Sequence, residues 1–473
     1  MTAIETTATI GVIGAGTMGA GIAQLAAAAG HPVLLFDAKE GAAATGRERM
    51  VAGLKKLIAR GKIDAAKADA IIDRVQPVAT MEALAPAALV VEAIVEDLDI
   101  KRKLFAALED VVAPEAILAT NTSSISVTAI ARDLKQPGRF VGMHFFNPAV
   151  IMKLVEVISG VATSKEVAET VFATAENWGK IAVHAKSTPG FIVNRVARGF
   201  YAEALRLYEE QVADPATLDA IMTGAGGFRM GPFELMDLIG HDVNYAVSLS
   251  VFTAYYQEPR FRPALSQLEL VNAGRLGRKS GQGFYGYAEG SEKPEPASET
   301  ASPDAAPIEG LAPGIETEID GVALKLTDGR TAREVAAETG RPVIICDLAR
   351  DGASRMAFAV SPDVPENVVA RVVATLAAQG IAATRLPDWP GLVLMRTLAV
   401  IANEGFEAVM QGVSDEAGVD TAMRYGVNYP KGPIGWAREV GLARIVAVLD
   451  NLHRLTGDPR YRASLRLRMA LQD

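Results

Sequence analysis

One cysteine, Cys346, stands in a chain of 473 residues. No intrachain disulfide can form, and a metal site built on cysteine thiolates is excluded. Histidine is nearly as scarce. Five are present, at positions 31, 144, 184, 241 and 453, so imidazole chemistry has few candidates. Positive charge is in deficit, with 47 Lys and Arg against 56 Asp and Glu and a net charge of −9. That balance argues against nucleic acid as a partner, while permitting a local basic pocket for one anionic ligand. No apolar run reaches membrane-spanning length, and Arg396 interrupts the best C-terminal stretch. The opening Met1-Thr2-Ala3-Ile4-Glu5-Thr6-Thr7 lacks the basic and apolar parts of a signal peptide. A soluble, cytoplasmic protein with no membrane attachment and no metal is expected.

What is present is ordinary globular material, 49% hydrophobic and 22% charged, enough for several cores and about three domains. Short apolar runs alternate with amphipathic stretches from residue 9 to about 184. Strands are expected at Thr9–Ile13, Pro32–Phe36, Leu89–Glu92, Ile117–Thr120, Phe140–Met143 and Leu154–Ile158. Helices are expected at Met18–Ala29, Asp97–Val112 and Ser164–Asn177. This alternation predicts an α/β, Rossmann-type doubly wound sheet over residues 1–187. An all-α domain follows over 188–287, opened by a long helical period from Pro189-Gly190-Phe191 through Glu210. Residues 288–315, rich in Pro, Ala, Ser and Glu, read as an exposed linker. Residues 316–386 return to α/β patterning without a glycine-rich fingerprint. Their strands are expected near Val322–Leu326, Val343–Asp347 and Arg355–Val360.

Residues 387–473 repeat the helical domain. Pro189-Gly190-Phe191-Ile192-Val193-Asn194-Arg195 recurs as Pro390-Gly391-Leu392-Val393-Leu394-Met395-Arg396, an offset of 201. The same offset carries Glu203 to Glu404, Asp219 to Asp420, Gly231-Pro232 to Gly432-Pro433 and Gly240 to Gly441. Met395 stands where the first copy has Asn194, so the second copy is expected to be structural.

Two constellations carry chemistry. Gly14-Ala15-Gly16-Thr17-Met18-Gly19 follows a strand and opens a helix. Glycines there permit a tight turn and close approach of backbone to a pyrophosphate at the helix N-terminus. Asp37, at the end of the second strand, suits two ribose hydroxyls and would repel a 2′-phosphate, which favours NAD over NADP. The second is His144 with Glu156 twelve residues on. An imidazole titrates near neutrality and suits removal of a hydroxyl proton. The carboxylate could hold its other N–H, or could be a solvated strand-edge residue. Ser123 and Ser124 could contact a substrate oxygen or cap the next helix. Asn194 is a polar amide in an apolar helix start, and could be structural. Lys55, Lys56, Arg60 and Lys62 form a basic cluster that an anionic substrate tail could use, though solvated helix charges are the commoner explanation.

Together these residues resemble the 3-hydroxyacyl-CoA dehydrogenases. The resemblance runs through Gly14–Gly19, Val91-Glu92-Ala93-Ile94-Val95-Glu96, Asn121-Thr122-Ser123-Ser124 and His144-Phe145-Phe146-Asn147-Pro148. It continues through Lys153-Leu154-Val155-Glu156, Pro189–Arg195, Gly231-Pro232-Phe233-Glu234 and Gly281-Gln282-Gly283-Phe284-Tyr285, covering residues 8–287. The reduced α/β segment and second helical copy resemble the longer bacterial form, including enzymes of phenylacetate breakdown that act on 3-hydroxybutyryl- or 3-hydroxyadipyl-CoA.

The resemblance implies reversible oxidation of an L-3-hydroxyacyl-CoA to the 3-ketoacyl-CoA with NAD, as in fatty acid β-oxidation. His144 matches the family's base and Glu156 its partner. Ser123 and Asn194 match residues that orient the substrate. Asp37, Glu96, Lys101, Asn147 and Lys279 fall where the family contacts NAD, and Lys101 also where it reaches the CoA ester. Arg60 falls where the family has a lysine near the CoA phosphates. Gly53 replaces a neighbouring serine, which removes one CoA contact. The family pairs helical domains across a dimer interface. Two copies in one chain would pair internally, and a homodimer of the whole chain stays open. Competing readings are a dehydrogenase of another 3-hydroxy acid, which generally uses a lysine base, and a non-catalytic relative such as some lens crystallins.

Overall fold

The computed structural model describes residues 2–472. Eight strands form the first sheet: β1 (Thr9–Ile13), β2 (Val33–Phe36), β3 (Val75–Val78), β4 (Ala87–Glu92), β5 (Ile117–Thr120), β6 (Phe140–Phe145), β7 (Leu154–Ser159) and β8 (Ile181–Lys186). Their order is β3-β2-β1-β4-β5-β6-β7-β8, and every neighbouring pair is parallel except β6 with β7. Strands β5 and β6 are buried at every position, as expected of a sheet covered on both faces. Helices α1 (Thr17–Ala29), α2 (Ala42–Ala59), α3 (Leu98–Glu109) and α4 (Lys165–Asn177) belong to this sheet's layers. The strand order reverses direction between β1 and β4, the kind of switch point where doubly wound sheets hold ligands.

Two strands do not announce themselves in the sequence. Pro77 interrupts β3, which an edge strand tolerates because its outer N–H groups need no partner. His184 and Lys186 dilute the apolar run of β8, the opposite edge, and both point outward. Strand β6 also ends two residues later than the expected Phe140–Met143. His144 therefore does not follow the strand, as the sequence reading had it. It lies in the strand, because pairing with β7 extends through Phe145.

The second sheet has five strands, β9 (Thr317–Ile319), β10 (Val322–Leu326), β11 (Val343–Cys346), β12 (Arg355–Val360) and β13 (Ala382–Arg385), in the order β13-β12-β11-β10-β9. The helices used below are α5 (Arg198–Glu209), α6 (Pro215–Gly224), α7 (Leu394–Met410) and α8 (Glu416–Gly426). The expected continuous helix from Phe191 to Glu210 is broken. Gly190 and Phe191 take positive φ (73° and 47°), and a single turn at Val193–Val196 precedes α5. The repeat breaks in the same way, with Gly391 and Leu392 at 73° and 54°.

Residues 288–315 form no helix or strand, yet they are not a free linker. Leu311 is buried with the second sheet's core, the Glu299 N–H donates to the Ala383 carbonyl (2.8 Å), and the Ile308 N–H donates to Thr375 Oγ1 (2.8 Å). Isolated apolar residues anchor this strap even though its composition cannot build a core.

The chain divides into two compact units. One is Met1–Asn194 with Gly412–Val427; the other is Arg195–Gln411 with Asn428–Asp473. The first unit thus borrows a helix from the C-terminal repeat, since α8 packs on β7 and β8. The equivalent helix of the first copy, α6, packs on β12 in the second unit. Within the second unit α5 and α7, the matching long helices of the two copies, lie against each other. Their approach is close, since a Cβ on Gly199 would meet Ile401 Cγ2 at 3.0 Å. Reciprocal ion pairs join the two copies: Arg195 Nε, in the turn before α5, to Glu404 Oε1 (2.5 Å) and Arg396 Nε to Glu203 Oε2 (2.8 Å). The copies pair inside one chain. Among the described residues no helix is long and apolar enough to cross a membrane, and no group of His, Cys, Asp and Glu could hold a metal ion.

Candidate active site

The glycine-rich loop is shaped by contacts that admit no side chain. Gly14 has φ of 96°, and a Cβ there would lie 2.5 Å from the Ala93 carbonyl oxygen. A Cβ on Gly19 would lie 1.7 Å from the Gly14 carbonyl oxygen, so the helix could not start against the turn. Gly16 differs: nothing lies within 4 Å of its virtual Cβ. It faces open space at the N-terminus of α1, where no side chain caps the helix. Backbone N–H groups of Thr17 and Met18 are therefore presented to an incoming anion. Asp37, just past β2, braces the loop: its Oδ2 accepts from the Ala15 N–H (2.7 Å) and its Oδ1 from the Lys39 N–H (2.9 Å). The residues present fit a dinucleotide: a turn that admits no side chain, an uncapped helix N-terminus and a carboxylate at the end of β2.

The antiparallel step between β6 and β7 sets His144 directly opposite Glu156. His144 Nδ1 lies 2.7 Å from Glu156 Oε2, and both side chains are buried. The other carboxylate oxygen, Oε1, accepts from the Ile192 and Val193 N–H groups (3.0 Å each). Glu156 is thus held at both ends, by the imidazole and by the start of the Val193–Val196 turn. With Nδ1–H donated to the carboxylate, Nε2 carries the lone pair that can take a proton. The Phe146 and Phe191 rings pack against the imidazole, with centroids at 4.5 and 5.9 Å. The solvated strand-edge alternative for Glu156 is excluded by its burial.

Asn194 Nδ2 donates to the Ser123 carbonyl (3.3 Å), so the segment after β5 and the turn after β8 meet beside the His–Glu pair. The helix that follows Ser123 and Ser124 is capped by Ser126, not by either of them. Instead Glu96 gathers this segment. Its Oε1 accepts from Thr122 Oγ1 (2.6 Å), the Ser123 N–H (2.9 Å) and the Ser124 N–H and Oγ (3.0 Å each). Burial alone would raise the Glu96 pKa, but these donors and the Lys101 charge outweigh it and hold the carboxyl below its ordinary range. Lys101 is buried, with Nζ 2.6 Å from Glu92 and 3.4 Å from Glu96. In this structure its ammonium points into that pair of carboxylates.

Three further expected site residues have these places. Asn147 is exposed at the carboxyl end of β6, just after His144. Arg60 is exposed at the C-terminus of α2, as are Lys55, Lys56 and Lys62 nearby. Lys279 belongs to the second unit, where its Nζ donates to Asp242 (2.7 Å). Sequence reasoning gave no role to Glu92, which binds Lys101, Thr120 Oγ1 (2.7 Å) and the Ile94 N–H (2.7 Å). Its signal was a fully apolar strand ending in an acid. Phe146 and Phe191 were also missed, because an apolar wall for an imidazole looks like any core aromatic.

Residues 9–188 match the NAD-binding domain of 3-hydroxyacyl-CoA dehydrogenase, and residues 190–287 and 391–473 both match its C-terminal domain. Residues 324–390 match the reduced Rossmann-fold domain of 3-hydroxybutyryl-CoA dehydrogenase. The chain is 47% identical to the 3-hydroxyadipyl-CoA dehydrogenase of Escherichia coli K12, over 97% of this chain and 96% of that protein. It is 40% identical to the 3-hydroxybutyryl-CoA dehydrogenase of Clostridioides difficile, over 59% of this chain and 99% of that protein. Its fold superposes on the crystal structure of a 3-hydroxybutyryl-CoA dehydrogenase from Escherichia coli K12 with a TM-score of 0.94 at 45% identity, covering 99% of each chain. With the glycine loop, the buried His–Glu pair and these matches along its length, the chain belongs to the 3-hydroxyacyl-CoA dehydrogenase family and is an NAD-dependent oxidoreductase.

Proposed function

We propose that this chain oxidises an L-3-hydroxyacyl-CoA to the 3-ketoacyl-CoA, reversibly, with His144 as the base. The observation that carries the reading is the 2.7 Å contact between His144 Nδ1 and Glu156 Oε2, which leaves Nε2 for the substrate. His144 Nε2 takes the C3 hydroxyl proton. Glu156 stabilises the imidazolium that forms, and its tie to the Ile192 and Val193 N–H groups keeps it from swinging away. Bound NAD supplies the hydride acceptor, so a secondary alcohol becomes a ketone. Ser123 and Asn194, joined at 3.3 Å, orient the substrate oxygens. Asp37 favours an unphosphorylated ribose. Arg60, with its lysine neighbours, offers charge to the CoA phosphates.

Five segments make up this reading: residues 1–187 hold the cofactor, 188–287 and 387–473 are helical copies, 316–386 is the reduced sheet, and 288–315 is the strap. The acyl group is that of a short 3-hydroxy acid. The relative matched over nearly its whole length is named for a dicarboxylic acyl group and the matched crystal structure for butyryl. NADH consumption with acetoacetyl-CoA, longer 3-ketoacyl-CoAs and 3-ketoadipyl-CoA tests both levels. Turnover of none of them overturns the proposal, and the ranking of kcat/KM assigns the chain.

A further inference from the structure

The loop that leaves β6 after His144 runs through Phe146, Asn147 and Pro148 to Met152 and presents Asn147, Val150 and Ile151 outward. Part of its inner side is backbone. The Ala149 and Met152 carbonyls turn inward, and both are met by one side chain. Lys180 Nζ donates to the Ala149 oxygen (2.5 Å) and to the Met152 oxygen (2.7 Å). Lys180 is buried, at 8% exposure, and leads from α4 into β8. Burial pushes its ammonium down to about 8. A buried lysine is held here at a cost, where an apolar side chain of the same length would fill the space.

The pinned loop touches two parts of the site. Ala149 is buried against α1, the helix that opens at the glycine loop, and a Cβ on Gly21 would lie only 3.1 Å from Ala149 Cβ. At its start the loop carries Phe146, whose ring rests on His144. The platform beneath it is packed and hydrogen-bonded: Trp178, two residues before Lys180, stacks on Phe145 at 6.3 Å, and the Ile181 N–H donates to the Lys153 carbonyl (2.8 Å).

The geometry points to Lys180 as a positioning residue for cofactor binding: by tethering the Ala149 and Met152 carbonyls it keeps the loop after His144 seated on α1. The inference rests on NAD binding at the glycine loop. The His144–Glu156 pair has its own supports in β6, β7 and the Ile192–Val193 turn, so Lys180 acts on the cofactor more than on the proton transfer.

The test is NADH titration by fluorescence on the full chain, with steady-state kinetics beside it, for wild type, Lys180→Met, Lys180→Gln and Lys180→Arg. Methionine fills the space and takes the Lys180 donor from the buried Ala149 carbonyl and the partly buried Met152 carbonyl. The NADH Kd and the KM for NAD should rise roughly tenfold, while kcat stays within about threefold. Arginine, which restores charged donors, should recover most of the lost affinity. Glutamine should fall between them, and it carries the test if the methionine variant does not fold. An unchanged NADH Kd in a folded methionine or glutamine variant overturns the role. So does a fall in kcat at constant Kd, or an arginine variant no better than methionine. Wild-type chain that takes up no NADH would instead overturn the cofactor reading beneath it.

Discussion

The two sheets contain the same structural corner, and only one of them carries a His–Glu pair. In the first, the antiparallel step β6–β7 sets His144 opposite Glu156. The step β11–β12 is its counterpart, since the offset of 201 carries the Leu154–Ile181 pairing onto Arg355–Ala382. There the residue opposite Ala357 is Asp347, whose N–H donates to the Ala357 carbonyl (2.8 Å). Asp347 thus stands at the histidine's place and Ala357 at the glutamate's. The helix start is nevertheless held alike. Glu156 accepts from Ile192 and Val193, and Asp347 accepts from Val393 (3.0 Å), Leu394 (2.7 Å) and Met395 (2.9 Å). A carboxylate thus holds the foot of the broken helix in both copies. In the first corner an imidazole stands where Asp347 stands in the second, and the acid lies across from it on the next strand as a glutamate.

Removing one half of the chain should have the largest effect. Truncation after Tyr287 takes away α8, which covers β7 and β8, and Glu404, the buried partner of Arg195. Breaking a buried ion pair alone costs about 3–5 kcal/mol. Exposed helix faces should then give aggregation or a new dimer in sedimentation velocity, with an obligate interface of at least about 2,000 Å². A soluble, fully active monomer of residues 1–287 would show that the halves do not complete each other.

Next in size is the contrast between the two corners. His144→Gln should lower kcat by about 10²–10⁴ and leave NADH binding nearly unchanged. Glu156→Gln should lower it less, on the order of tenfold to a hundredfold, because the imidazole stays in place but loses the charge that stabilises its protonated form. Near wild-type kcat in His144→Gln would sink the assignment.

At the other corner Asp347→Asn should leave kcat alone and reduce stability by about 1–3 kcal/mol, since an amide NH₂ must face N–H donors. Burial raises the Asp347 carboxyl to about 6, though the Met395, Leu394, Val393 and Leu348 N–H groups pull the other way. A folded pKa above the unfolded value of about 3.9 gives a contribution that is complete below pH ~4 and lost as pH rises through ~6. Urea midpoints should therefore show the gap between wild type and Asp347→Asn narrowing over that window, and a gap that widens would refute the titration.

What the sequence made legible follows from where the information is local. The glycine loop could be read because each glycine answers to backbone within a few residues, and the repeat because its turns recur at a fixed offset. The His144–Glu156 pair could be named but not joined, since their contact depends on the register and antiparallel sense of β6 and β7. The same is true of Lys101 and Glu92, nine residues apart on different elements yet 2.6 Å apart in space. The exchange of α6 and α8 between sheets left no local trace, because an amphipathic helix does not record which sheet it will cover. Phe191 was read as helical by its neighbours, and only the positive φ shared with Leu392 shows the break to be part of the repeat.

The smallest effect concerns the nucleotide end, where the second sheet has nothing to compare: residues 316–386 carry no glycine fingerprint and no equivalent of Asp37. The Asp37 carboxylate is held by the Ala15 N–H at 2.7 Å and the Lys39 N–H at 2.9 Å. Those donors hold the side chain at the end of β2, where a ribose is proposed to lie, and a 2′-phosphate bound there would face a like charge. Like charges so placed cost several kcal/mol, so kcat/KM in the oxidative direction should favour NAD over NADP by at least about a hundredfold. Asp37→Ser should narrow that ratio to roughly tenfold or less, mostly by weakening NAD, because the Ala15 N–H loses a charged acceptor and the loop loosens. Equal kcat/KM for the two cofactors in the wild type would refute the role given to Asp37, while leaving the His144–Glu156 chemistry untouched.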